Sequence, residues 1–184
     1  MLWNIKIQLF DKMRKAQVWV ETAIYTLIGL TIIGIVLGIA TPAINKYKDE
    51  AVIEQTAGAL NDLNGKILET RTTTGNVRLA SLRLKQGKLI IDGELDKITY
   101  VFEGSRFQYS EPGQTFKEGD ITVLTETRGK NFDVYLSLSY NDWDIKSNGE
   151  DISRTLTSAS VPYELSIEKT GNNEGKTIIN IKQN

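Results

Sequence analysis

The run Ala23-Ile-Tyr-Thr-Leu-Ile-Gly-Leu-Thr-Ile-Ile-Gly-Ile-Val-Leu-Gly-Ile-Ala40 decides how the rest of the chain is read. It holds only aliphatic, small, tyrosine and threonine residues. It lies inside a longer stretch, residues 22–45 between Glu21 and Lys46, that carries no charge at all. At ~1.5 Å per residue an uncharged helix of that length covers about 36 Å, enough to cross the ~30 Å hydrocarbon core of a bilayer. A membrane-spanning helix over 22–45 is the expectation. Before it stand Lys6, Lys12, Arg14 and Lys15 against one acid, Asp11, a local charge of +3. The positive-inside bias then keeps the N-terminus cytoplasmic and puts everything after Lys46 outside, as a single-pass arrangement.

The remainder has the composition of an ordinary folded domain. Of 184 residues, 40% are hydrophobic, 24% charged and only 3 are proline, so the chain can bury a core. The 22 Lys and Arg nearly balance the 23 Asp and Glu, which removes any overall electrostatic case for nucleic-acid binding. Cysteine and histidine are both missing. That excludes disulfides, Cys/His zinc sites, thiol nucleophiles and any triad built on an imidazole base. No surviving carboxylate pair or Ser/Lys dyad is singled out by its spacing, so no enzyme, no cofactor and no metal is expected.

A basic start and an apolar run also describe a secretory signal, here with a small-residue cut after Ala40. The run is longer than the roughly 7–15 residue core of such signals, and Gln17 and Glu21 interrupt its flank. Arg14-Lys15-Ala16-Gln17, followed four residues later by Glu21 and then the apolar helix, resembles the leader and cleavage site of an archaeal type IV pilin-like precursor, the class III signal peptide. The resemblance covers roughly residues 12–45. In that family a membrane-embedded prepilin peptidase cuts before the apolar helix, after a basic pair and a small residue. Carried over, it implies a leader over 1–16, a cut between Ala16 and Gln17, and Glu21 as the fifth residue of the mature chain.

A glutamate one turn inside a bilayer costs about 2.5–3.5 kcal/mol unless it is paired or reaches the interface. A new amine at Gln17 supplies a partner, on the same helix or, as the resemblance implies, on a neighbouring subunit. Gly29, Gly34 and Gly38 remove side chains from the helix surface, and Gly34-Ile-Val-Leu-Gly38 is a GxxxG, so these positions are read with Gln17 and Glu21 as assembly residues. Thr26 and Thr31 can bond carbonyls one turn earlier. Pro42 lacks a donor and crowds the preceding turn, which predicts a kink or a melted turn near Gly38 to Thr41.

After Pro42 the pattern becomes amphipathic: Val52, Thr56, Ala59 or Leu60, Leu63 and Ile67 recur every three or four residues between charged positions. The helix is expected to run over 17–70, ending where β-branched threonines and Gly75 break it. From Val77 the period changes to strand-like alternation over 77–84, 88–92, 97–103, 106–109, 121–127, 131–140, 163–169 and 177–182, separated by glycine turns. The fold class is α+β, a long N-terminal helix packed on an antiparallel β-sandwich or rolled sheet that fills 71–184. Val134, Leu136, Leu138, Ile167 and Ile179 are expected in the core.

Three other features invite chemistry. Gly171-Asn-Asn-Glu-Gly175-Lys176-Thr177 has one residue too few for a phosphate loop and leads into a strand, so a hairpin is the better reading. Asn141 to Asp144 and Asn148 to Asp151 gather oxygen ligands as calcium loops do, yet Lys146 and Thr155 stand where ligands are needed. Residues 66–88 hold six basic residues against one acid, a local +5, while 89–184 hold 10 basic and 16 acidic residues, or −6. Such opposed charge serves pairing between subunits or attraction of polyanions, or simply solvates a strand whose charges prevent edge-to-edge aggregation. No Asn-x-Ser/Thr sequon occurs.

The expected function is therefore structural: a subunit of a type IV pilus-like surface filament. The partners implied by the resemblance are a prepilin peptidase, identical or related pilin subunits, an assembly ATPase with its membrane platform, and membrane lipid before assembly. Relatives of this layout serve as adhesion pili, swimming filaments or minor subunits. The alternative is a single-pass anchored β-domain that binds a ligand or surface partner without polymerising.

Overall fold

A computed structural model describes the backbone of residues 2–71, 75–173 and 175–183, with side chains from Gln17 onward. Helix α1 (Leu2–Thr70) is followed by ten strands among the described residues. The chain divides into two compact units, Met1–Asn45 and Lys46–Asn184, with the boundary inside α1. The amphipathic half of the helix thus folds with the β-domain.

The strands are β1 (Val77–Leu82), β2 (Lys88–Asp92), β3 (Lys97–Ser105), β4 (Thr115–Glu118), β5 (Ile121–Arg128), β6 (Asn131–Ser139), β7 (Trp143–Ser147), β8 (Ser153–Thr157), β9 (Tyr163–Asn173) and β10 (Lys176–Gln183). They form a four-stranded sheet, β1-β9-β10-β7, and a six-stranded sheet, β4-β5-β6-β3-β2-β8. All pairings are antiparallel except β10 with β7, which is parallel. The fold is α+β, with the second half of α1 packed on two antiparallel-rich sheets.

That half of the helix lays Ile53, Ala57, Leu60, Leu63 and Ile67 into one cluster with both sheets. Their spacing of four, three, three and four keeps them on one face, and each large side chain buried there contributes about 1.5–3 kcal/mol. Val134, Leu136, Leu138, Ile167 and Ile179 are all in this cluster, and Tyr100 is its largest fully buried member. The helix stops at Thr70, whose hydroxyl donates to the Ile67 carbonyl (2.7 Å). The threonines expected to end it, 72–74, lie outside the described residues.

Buried polar groups tie helix to strands. Asn64 donates from Nδ2 to Asp120 Oδ2 (2.8 Å), and its Oδ1 accepts from the Tyr140 hydroxyl (3.0 Å). Tyr140 stacks on Trp143 with ring centroids 5.7 Å apart. Asp49, also buried, accepts from the Arg106 backbone N–H (2.8 Å). This bond explains why 106–109 is not the strand that its alternation predicts. The Ser105 hydroxyl bridges the backbone of Phe107 on both sides, donating to its carbonyl (2.8 Å) and accepting from its N–H (3.0 Å), so the chain turns onto the helix there.

Strands β4, β7 and β8 are additions to the expected set. β7 lies in, and β8 just beyond, the segment whose Asn and Asp residues read as one loop; Asp96 holds the first of them. With φ of 48°, it takes the Ile145 N–H on Oδ1 (2.9 Å) and the Lys176 ammonium on Oδ2 (3.0 Å), while its carbonyl accepts from Tyr140 N–H (2.9 Å). One residue thereby joins the β2–β3 turn to β7 and β10. Two glycines leave no room for a side chain: a Cβ on Gly87, at φ +75°, would lie 2.6 Å from the Val101 carbonyl oxygen, and one on Gly93 would lie 2.9 Å from that of Ile145.

Two outcomes follow. Asn64→Leu strands the buried Tyr140 hydroxyl and should cost about 1–3 kcal/mol in denaturant unfolding of the chain in micelles. Adding Tyr140→Phe to it should recover part of the loss, because no orphaned hydroxyl is left. The second concerns alkali. Burial pushes the Tyr100 phenol up to about 12 from its ordinary 10, and burial together with the Asp120 charge raises Tyr140 as well. The neutral phenols are the folded form, so their stabilisation is complete below pH 10 and is lost as pH climbs toward 12. Unfolding and tyrosinate absorbance should therefore rise together in that window; free titration of Tyr100 near pH 10 in a folded chain would contradict its burial.

Candidate functional site

The stretch from Gln17 to Asn45 is the part of α1 that falls in the first compact unit. The helix over Gln17–Thr70 is long and apolar enough to cross a membrane, and none of its most apolar window is buried. Val18, Trp19, Val20, Ile24, Tyr25, Leu27, Ile28, Leu30, Ile32, Ile33, Ile35, Val36, Leu37, Ile39 and Ile44 are all exposed, on every side of the helix. A helix apolar all round requires a nonaqueous cover. Each such side chain is worth about 1.5–3 kcal/mol when removed from water, so leaving all of them wet is out of proportion to the 5–15 kcal/mol that stabilises a typical domain.

Polar atoms within the segment are turned inward on themselves. The hydroxyls of Thr22, Thr26, Thr31 and Thr41 donate to the carbonyls of Val18, Thr22, Leu27 and Leu37 at 2.7–2.9 Å. Thr26 and Thr31 thus do what their sequence context predicts. The helix continues through Gly38 to Thr41 and past Pro42, so the melted turn expected there is not formed; Pro42 has no N–H to give the Gly38 carbonyl, while the Thr41 hydroxyl adds a second bond to the carbonyl of Leu37.

The side chains of Arg14, Lys15 and Ala16 lie outside the described residues, while their backbone is helical. Gln17 and Glu21 are described and exposed. Glu21 accepts a long hydrogen bond from the Tyr25 hydroxyl (3.5 Å), a partner one turn on whose i, i+4 spacing was legible in the sequence. That contact leaves Glu21 with most of its hydrogen-bonding capacity open.

The three glycines do not share one face. At ~100° per residue, Gly34 and Gly38 are separated by about 40° around the axis, and Gly29 lies about 140° from Gly34. A Cβ built at any of them meets nothing within 4 Å. The helix therefore offers close approach on two sides.

The other candidates resolve differently. Lys176 and Thr177 begin β10 and pair with Asn173 and Asn172 at the end of β9, as a hairpin does, while Glu174 lies outside the described residues. Lys146, on β7, donates to both oxygens of Asp151 (2.9 Å each) and lies 3.5 Å from Asp144, which engages the carboxylates of the calcium-like loop. Among the described residues no group of three or more acids is arranged to hold a metal. The Asn64–Tyr140 and Asp96 linkages were not foreseen, since residues 56–76 or 80 positions apart meet only through the tertiary fold.

A charge placed at mid-segment tests whether lipid covers the helix. Ile32→Lys should cost about 3 kcal/mol of insertion and move a large share of the protein from the membrane to the soluble fraction in vesicle flotation. Unchanged flotation would mean that this segment is not embedded. Compared with protein-family models, with curated proteins and with solved structures, the chain gives no match in any of the three.

Proposed function

We propose that this chain is a structural subunit of a type IV pilus-like surface filament, inserted with its N-terminus cytoplasmic, cut between Ala16 and Gln17, and polymerised through its N-terminal helix. The observation that carries the reading is an apolar helical stretch over 17–45 whose large side chains are exposed on all sides, with one acid, Glu21, which the proposed cut would make the fifth residue of the mature chain. Lipid satisfies such a helix before assembly, and neighbouring helices satisfy it afterwards. The Arg14-Lys15-Ala16-Gln17 site resembles that of archaeal pilin precursors and supplies the cut.

The disposition of the glycines adds support. A helix that only dimerises needs one small-residue face, whereas Gly29 and the Gly34/Gly38 pair open two. A subunit inside a filament meets neighbours on several sides, and an open, heterologous contact repeats without closing. Glu21 would then pair with the Gln17 amine of the next subunit, which sets axial register and removes an unpaired charge from an apolar interior. The acid so placed works by registering helices, with no turnover.

Two measurements check this. Coexpression with an archaeal prepilin peptidase should shorten the membrane-bound chain by its first 16 residues, giving a mature start at Gln17 by mass spectrometry; no peptidase-dependent cut would leave a membrane-anchored binding domain as the better account. In cells that process the protein, Glu21→Ala should leave the subunit in the membrane and abolish filaments by electron microscopy. Normal filaments from that variant would remove Glu21 from the assembly role.

A further inference from the structure

We propose that the β-domain carries an oxyanion-binding cleft between the β1–β2 and β8–β9 connections, built from Arg83, Lys85, Ser158 and Ser160, that takes a phosphate-type group. The local geometry follows from alternation. Leu82 and Leu84 are buried, so Arg83 and Lys85 on either side of Leu84 point to the outer face. Across from them the Ala159 N–H donates to the Leu84 carbonyl (3.0 Å), a single strand-like link. Its neighbours Ser158 and Ser160, both exposed, flank Ala159 as the two cations flank Leu84. The four side chains, with Ala159, line one open cleft that has no carboxylate in its wall.

The charges there are not neutralised. The Lys85 ammonium donates to the neutral Gln55 Oε1 (2.9 Å), which positions it without cancelling its charge. Arg83 forms no ion pair among the described residues. Three other cations of the basic stretch differ: Arg78 pairs with Glu69 (3.1 Å), Lys88 with Glu103 (2.7 Å), and Lys66 caps a carbonyl of β1. Arg83 brings a planar fork of donors, Lys85 a point charge held by Gln55, and the two serines hydroxyl donors, the set that suits a tetrahedral oxyanion. Two cations are too few for a nucleic-acid track and enough for one phosphate or sulfate ester. A lipid headgroup and a free or glycan-borne phosphate present the same chemistry.

The test uses the full isotope-labelled chain in phosphatidylcholine nanodiscs, titrated with inorganic phosphate against chloride at equal ionic strength. Saturable NMR shifts at the Ser158 to Ser160 amides and at Arg83 Nε, given by phosphate alone, are expected. Arg83→Gln with Lys85→Gln should weaken binding at least about tenfold, as befits the loss of charge-assisted bonds. Ser158→Ala with Ser160→Ala, which keeps both charges, should weaken it by a smaller factor. Nanodiscs doped with phosphatidylglycerol and free of phosphate separate the sources: the same shifts there identify a lipid headgroup, and shifts with inorganic phosphate alone identify a soluble or glycan-borne group. Shifts that fail to saturate, that match chloride, or that survive the double glutamine variant would overturn the site.

Discussion

Everything about this molecule depends on one unmet requirement, the cover of an apolar helical surface. Residues 22–45 carry no charge, their threonine hydroxyls are bonded back into the helix, and the large side chains face outward in all directions. Nothing within the described chain buries the most apolar window. Hydrocarbon is one solution, because it accepts apolar side chains and asks only that backbone polar groups be satisfied internally, as an α-helix does. A bundle of like helices is the other, and glycines open on two sides of the axis allow the backbones close enough for van der Waals packing to replace lipid. A helix that can exchange one cover for the other is what insertion followed by polymerisation needs.

The second unit has no such deficit. Its core closes on itself, with the amphipathic half of α1 supplying one wall and the two sheets the rest. The polar groups that cross this core are matched in pairs: Asn64 with Asp120 and Tyr140, Asp49 with the Arg106 N–H, Asp96 with Ile145 N–H and Lys176. Among the described residues a single buried side-chain atom, Ser147 Oγ, lacks a partner. Satisfied polar links of this kind specify one register of helix on sheet, where leucines alone would tolerate several.

How much of this could be read beforehand differs by element. The membrane-length run, the end of the helix near residue 70, strands β2, β5 and β6 and the five core positions are encoded in local period and charge, and the sequence reading holds for them. Strand 106–109 was misread because a buried aspartate 57 residues earlier claims its backbone, a contact that no window over 106–109 contains. β7 was legible, since Trp143, Ile145 and Ser147 are buried at alternate positions, and was passed over for the ligand-like Asn and Asp residues around it; β8, with Leu156 alone buried, is held by β2. The parallel pairing of β7 with β10 is likewise a property of topology. At the helical site the identity of the residues was legible, and their angular arrangement followed once the helix was shown to be unbroken. Tyr25 as the contact of Glu21 was available from spacing alone and was passed over.

Net charge over a window is the least faithful guide, and its failure is informative. The +5 over residues 66–88 reads as one basic patch, yet half of its six cations are drawn into pairs or a cap, Arg78 on Glu69, Lys88 on Glu103 and Lys66 on the Leu79 carbonyl. Strand β1 lies at the edge of its sheet with Val77 and Leu79 exposed, the kind of edge on which another chain can add a strand. Lys66 from the helix occupies the Leu79 carbonyl, and Arg78 holds Glu69 beside it. At the far edge of the same sheet the Ile145 N–H of β7 is taken by Asp96. Both edges therefore have backbone groups engaged by charged side chains. For the filament subunit proposed above this matters, since strand addition between β-domains would compete with contacts between helices. In the filament proposed above, guarded edges would leave the helix as the surface of assembly.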